Sequence, residues 1–194
     1  MKVGVLAVQG DFEAHGRALE RLGAEPVFVR APEQLDGLGG LVIPGGESTT
    51  MLHFLEDEGL FEPIRSFAAR RPLFGTCAGA ILMAARVERP AQRSLGLLDL
   101  TIERNAYGRQ LDSRIATLKP SPDFTALAGD GALEAVFIRA PIIRRGGAGG
   151  RVLLEYQDDP VLVEQGRHLV ATFHPELTAD PRVHRLFLAR VAES

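Results

Sequence analysis

Through the first half of the chain, short apolar runs alternate with stretches whose apolar residues recur every three or four positions. Residues 2–8 are a β-branched run closed by Gln9 and Gly10, which predicts a buried strand. Ala14, Ala18, Leu19 and Leu22 then fall at helical spacing, and Gly23 ends that helix. Residues 26–30 and 40–43 predict two more strands, the second stopped by Pro44, Gly45 and Gly46. A helix is predicted over about 49–58, with Met51, Leu52 and Leu55 on one face, and another over about 62–70. Residues 73–75 predict a fourth strand, and a helix over 78–85 begins directly after Cys77. This alternation requires right-handed crossovers between parallel strands, so the expected class is α/β, a doubly wound, mostly parallel sheet with flanking helices.

The second half reads differently. Short strands are predicted at 98–102, 135–138, 152–156, 161–164 and 169–173. Tight turns are expected at Asp158-Asp159-Pro160 and Gln165-Gly166-Arg167, which predicts a C-terminal antiparallel β-meander that extends or flanks the sheet. A closing helix covers about 181–191, and the glycine-rich residues 146–150 are expected to be an exposed loop. With no internal repeat and no linker, residues 1–194 are expected to form a single domain.

Composition narrows the function classes. An apolar fraction of 45% and a charged fraction of 24% are ordinary for a globular chain. A net charge of −3 without a block of like charges gives no pointer to nucleic acid or an anionic membrane surface. No apolar stretch is long enough to span a bilayer, and the first residues enter a strand without a signal segment, so a cytoplasmic protein is expected. The single cysteine excludes an internal disulfide. Such a cysteine is either a small buried hydrophobe or a nucleophile, and its neighbours must decide.

Those neighbours are Gly75-Thr76 and Ala78-Gly79. A nucleophile flanked by small residues, between a strand and a helix, is the form of a nucleophile elbow, a strained turn that lifts the central side chain off the sheet. The dipole and free N–H groups of the following helix favour negative charge on sulfur, and the N–H of Ala78 points where an oxyanion forms. The competing reading is a glycine-rich turn with an inert buried thiol. Of the five histidines, His15, His53 and His184 fall in predicted helices and His168 in a turn. His174 ends an apolar strand, and Pro175 keeps it out of the helical region. In an extended segment residues two apart share a side, so Glu176 can bond Nδ1–H of His174 and leave Nε2 free for the thiol proton. Cys77, His174 and Glu176 thus form a complete nucleophile, base and orienter. The third feature, residues 44–50, reads either as a turn with Ser48 or Thr49 as helix cap, or as a loop whose glycines let Gly46 donate a second oxyanion hydrogen bond.

Six segments in order (residues 5–10, 44–50, 74–79, 103–110, 137–141 and 172–178) together resemble the glutaminase subunits of pyridoxal 5′-phosphate synthase, a branch of the class I glutamine amidotransferases. The resemblance covers essentially the whole chain. Other class I members usually follow the nucleophile with Gly-His-Gln or Gly-x-Gln and carry Pro-Gly-x-Gly. Here Ala78-Gly79-Ala80 and Gly46-Glu47-Ser48 stand instead, which favours the pyridoxal branch. Residues 114–127 and 144–151 match none of its motifs.

The resemblance implies that Cys77 is the nucleophile, His174 the base and Glu176 its orienter. It implies that Gly46, Glu47 and Ser48 line a pocket for L-glutamine, with Arg104, Ile138 and Arg139 also in contact. An arginine suits the α-carboxylate of glutamine by bidentate pairing, although either arginine alone reads equally as half of a structural ion pair. The implied partner is a barrel-type synthase subunit that takes up the ammonia, with Gln9 and Gly10 placed to sense its docking. Pyridoxal phosphate is then a product of the assembly, and this chain needs no cofactor or metal. Two rivals are an amidotransferase subunit of another pathway and a non-catalytic protein on a similar sheet that senses oxidants through its cysteine.

Overall fold

The computed structural model of the chain describes residues 1–104, 113–144 and 149–194. Its first half follows the predicted alternation: β1 (Lys2–Leu6), α1 (Phe12–Arg21), β2 (Glu25–Val29), β3 (Gly40–Ile43), α2 (Ser48–Asp57), α3 (Phe61–Ala68), β4 (Leu73–Thr76) and α4 (Ala78–Met83). The second half comprises β5 (Ala84–Glu88), β6 (Leu98–Glu103), β7 (Arg114–Leu118), α5 (Pro122–Ala128), β8 (Leu133–Phe137), β9 (Ile142–Arg144), β10 (Gly150–Tyr156), β11 (Asp159–Gln165), β12 (His168–Ala171) and α6 (Arg182–Ala192).

Seven strands form the central sheet in the order β10-β11-β12-β4-β3-β1-β2. The run from β12 to β2 is parallel, and β10, β11 and β12 are joined by antiparallel pairings. The meander therefore extends the sheet. Strands alternate their side chains between faces, and the buried residues divide accordingly. Val3, Val5, Val42 and Phe74 point to one face, where Leu19 of α1 and Leu186 and Phe187 of α6 cover them. Leu6, Leu41, Ile43 and Leu73 point to the other, under Met51 and Leu55 of α2, Ile64 of α3 and Ile81 and Leu82 of α4. Each fully buried side chain of this size contributes about 1.5–3 kcal/mol. Two covered faces are what near-continuous apolar runs such as Leu41-Val42-Ile43 demand.

Several predicted elements differ. The helix predicted to run to residue 85 ends at Met83, and Ala84 turns directly into β5, which pairs with β6. The strands predicted at 98–102 and 135–138 exist but lie outside the central sheet, β6 with β5 and β9, and β8 with β7. α5 was not anticipated, although Ser121 caps it from Oγ to the Phe124 N–H at 3.1 Å and Pro122 occupies its first turn. Of the predicted glycine loop, Gly149 is a turn residue and Gly150 opens β10, while 146–148 lie outside the described residues, as do 105–110 of the arginine motif. Among the described residues no helix is long and apolar enough to cross a membrane.

Candidate active site

The carboxyl ends of β4 and β12 lie side by side, Thr76 level with Ala171, and the two sequence motifs leave the sheet together there. Cys77 takes φ 49°, ψ −104°, a conformation costing a residue with a side chain about 1–3 kcal/mol. The turn is held by the Cys77 N–H, which donates to the Ala171 carbonyl at 2.8 Å, and by the Cys77 carbonyl, which accepts from Ile81 N–H at 3.2 Å. The flanking glycines serve close approach: a Cβ on Gly79 would sit 1.9 Å from the Ile43 carbonyl oxygen, and one on Gly75 would sit 2.7 Å from Gly79. α4 can therefore lie directly on β3 and β4.

His174 follows β12, its N–H bonded to the Val136 carbonyl at 2.8 Å. Pro175 opens a 3-10 turn, Pro175–Leu177, where an extended segment was expected. That turn brings Oε1 of Glu176 2.7 Å from Nδ1 of His174. Both residues are buried, His174 8% and Glu176 6% exposed. Burial opposes charge on the imidazole, but the neighbouring Cys77 side chain and the hydrogen-bonded Glu176 carboxylate outweigh it and raise His174 to about 10. Nε2 makes no well-formed hydrogen bond at rest, and the Cys77 sulfur stands 3.9 Å from the Ile138 carbonyl. Cys77 and the ring are nonetheless neighbours, because an atom placed at the Cβ position of Gly45 would touch both His174 Cε1 and Cys77 Cβ.

A cleft of about 100 Å³ opens over Cys77, lined by Gly46, Glu47, Ser48, Ile81, Arg104, Ile138, Arg139 and Pro141. It brings together the residues expected to bind substrate, and Ile81 and Pro141 are additions. A larger groove of about 600 Å³ lies elsewhere, between Leu35, Phe67, Arg71 and Ser194, but holds no nucleophile. Chemistry, not size, picks out the smaller one.

The loop before α2 is more tightly tied than expected. Glu47, not Ser48 or Thr49, caps α2, its carboxylate accepting from Thr49 N–H at 3.0 Å and Thr50 N–H at 2.8 Å. Despite the partial burial that opposes it, these bonds hold its carboxyl down at about 2. Arg104 pairs with Glu47 at 3.2 Å, donates to Thr49 Oγ1 at 3.1 Å and donates to Gln92 Oε1 at 2.6 Å. Gln92, which no sequence signal marked, also accepts from Ser48 Oγ at 3.0 Å and donates to the Ser48 carbonyl at 3.3 Å. Arg139 is exposed, takes φ 45°, and has no ion pair among the described residues. Gln9 accepts from the Glu47 N–H at 3.1 Å, so the end of β1 touches the Gly46–Glu47 peptide. Ala78 is the first residue of α4, where helix N–H groups have no intrahelical acceptor.

Beneath Glu176 lies a second buried set. His15 of α1 and His184 of α6 are 0% and 1% exposed and bonded to each other at 3.0 Å. His15 Nε2 stands 3.1 Å from Thr76 Oγ1 and 3.3 Å from Glu176 Oε2. His53 is exposed, and His168 uses Nδ1 to accept from Leu73 N–H at 3.1 Å. His15 stands four residues before Leu19 on the apolar face of α1, the one signal by which its burial could have been foreseen. Among the described residues no cluster of three or more His, Cys, Asp or Glu could hold a metal ion.

A chain from Solibacter usitatus named pyridoxal 5′-phosphate synthase subunit PdxT is 65% identical over 98% of this chain and 99% of its own. A chain of the same name from Koribacter versatilis is 57% identical, covering 98% and 96%. A crystal structure of a glutamine amidotransferase superposes with a TM-score of 0.89 at 47% identity, covering 98% of both chains. The model of the SNO glutamine amidotransferase family matches residues 5–193, and the chain belongs to that family.

Proposed function

We propose that this chain is the ammonia-producing subunit of a pyridoxal 5′-phosphate synthase, hydrolysing L-glutamine through Cys77, His174 and Glu176. What supports the reading is the meeting of a strained cysteine and a carboxylate-oriented imidazole at one small cleft. Its relatives' names supply the assembly. A raised His174 favours the imidazolium form of the ring. The thiolate attacks the δ-carbonyl of glutamine, and the N–H groups of Gly46 and Ala78 receive the oxyanion. As the C–N bond breaks, imidazolium gives its Nε2 proton to the departing nitrogen, which leaves as ammonia. The remaining glutamyl thioester is attacked by water that the now neutral imidazole deprotonates. Glutamate leaves, and the thiolate–imidazolium pair is restored.

In this reading Gly46, Glu47, Ser48, Arg104, Ile138 and Arg139 hold the substrate. Arg139, with no ion pair among the described residues, is the freer anchor for the α-carboxylate, whereas Arg104 arrives already braced by Glu47 and Gln92. Residues 1–194 act as a single glutaminase domain in the cytoplasm, where a lone thiol stays reduced. The ammonia passes to a barrel-type synthase subunit, and the contact of Gln9 with the Glu47 N–H couples the β1 end to the oxyanion loop. The test is ammonia release from glutamine by wild type and Cys77→Ala, each with and without the synthase subunit. Wild type is expected to release ammonia, faster with the partner, and Cys77→Ala none. Ammonia release by Cys77→Ala overturns the assignment.

A further inference from the structure

Glu176 is a buried carboxylate with two oxygens to satisfy. Oε1 takes the Nδ1–H of His174, while Oε2 has no well-formed hydrogen bond among the described residues. An ionised oxygen buried without a donor is among the costlier defects a fold can carry. The nitrogen facing it is Nε2 of His15, 3.3 Å away on a different helix and itself fully buried.

The proton positions follow from the surroundings. If His15 carried its proton on Nδ1, the Nε2 lone pair would confront a carboxylate at 3.3 Å. The favourable tautomer has Nε2–H, shared between Glu176 Oε2 and Thr76 Oγ1. Nδ1 of His15 must then accept, and its partner at 3.0 Å, Nε2 of His184, must donate. Burial lowers both rings, His184 to about 3, so both are neutral near pH 7. Protons therefore run in one direction, from His184 through His15 to Glu176, and Glu176 accepts at both oxygens. The charged groups bearing on this pair are Glu176, His174 and Asp11 around His15, and Glu176 and Arg21 near His184, with the Phe74 ring edge-on to both histidines.

We infer that His15 is a positioning residue of the Cys77 site, whose Nε2–H, oriented by His184 and Thr76, holds Glu176 ionised and aligned against His174. This rests on the glutaminase reading above. α1 and α6, which contribute nothing to the cleft, thereby reach the reacting imidazole through a single carboxylate. Thr76, neighbour of the nucleophile, ties the same histidine to the elbow.

The test compares wild type, His15→Leu and His15→Gln as full chains with the synthase subunit present. Glutamine in place of histidine puts an N–H near the Nε2 position, whereas leucine removes it. His15→Leu is expected to lower kcat about ten- to a hundredfold, the range of one charge-assisted hydrogen bond. Its KM for glutamine should stay within about twofold, because the cleft is untouched. Glu176 would also take up its proton more readily, moving the acid limb of kcat to higher pH. His15→Gln should recover most of the rate and return the limb. Unchanged kcat in His15→Leu, or a His15→Gln protein as slow with no shift in the limb, overturns the inference. Should His15→Leu prove too unstable to assay, ¹⁵N NMR of the wild type decides, since a His15 proton on Nδ1 contradicts the proposed order. A Cys77→Ala control read alongside separates this from failure of the glutaminase reading, which would show as activity without the thiol.

Discussion

The backbone of Gly45 lies flat against the imidazole of His174: a Cβ there would sit 2.5 Å from Cε1 and 3.2 Å from Nδ1. Gly45 has no positive φ, so its lack of a side chain serves this contact and not a turn. Gly45→Ala is expected to leave the fold intact while pushing the ring off the sulfur. A misplacement near 1 Å costs about a hundredfold in rate. Steady-state glutaminase kinetics beside a circular dichroism melt checks this, and a variant with wild-type kcat would show that the ring tolerates displacement.

Glu176→Gln keeps the shape of the side chain and removes its charge. Nδ1–H of His174 loses its charged acceptor, since a single amide oxygen must now serve both His174 and His15, and the ring loses a source of its raised proton affinity. The equivalent change in serine triads costs about 10⁴ in kcat. A fall of about a thousandfold or more is expected here, with little change in melting temperature.

Gln92 joins Ser48 and Arg104, two walls of the cleft, through one amide. Gln92→Ala releases Ser48 and leaves Arg104 held only by Glu47 and Thr49, so the effect should fall on binding. KM for glutamine is expected to rise about tenfold, equivalent to one hydrogen bond to a charged group, with kcat within a few-fold. A fall in kcat at constant KM would mean that Gln92 acts on the chemistry instead.

Acid stability should depend on His168. Burial, aided by the nearby Arg167, lowers its ring from 6.5 to about 4, and its unprotonated Nδ1 accepts from Leu73 N–H. The folded state thus favours the neutral ring, so this contribution is complete above pH 6.5 and is lost as pH falls toward 4. Its size is about 2 kcal/mol after allowance for partial exposure. His168→Asn retains an acceptor near Nδ1 but cannot titrate. Urea titrations from pH 7 to 4 should show a shallower loss of stability for this variant. His184, lowered to about 3, leaves a residual slope.

The parallel half of the sheet was legible because each strand is a short apolar run and each crossover helix carries its own stripe. β5 was not, because Ala84-Ala85-Arg86 suits a helix as well as a strand, and only pairing with β6 decides it. β7 was missed for a related reason: it alternates half-exposed positions, with Ile115 69% exposed, and lacks a clean buried face. In the site, the elbow and the His-Pro-Glu segment could be read from local chemistry, though the reason they work differed. Glu176 reaches His174 through a 3-10 turn, not along an extended strand.

From the order of its residues alone, this protein's strand–helix alternation, its proposed nucleophile and the imidazole with its carboxylate could all be named, since each depends on neighbours within a few positions. Tertiary structure alone decided that β12 would lie beside β4, which brings residues almost a hundred positions apart to one edge. It alone placed Gln92 behind Arg104 and His15 behind Glu176. Such contacts join side chains from separate elements, and no local pattern encodes them, because the energy that selects them comes from packing whole faces of the sheet.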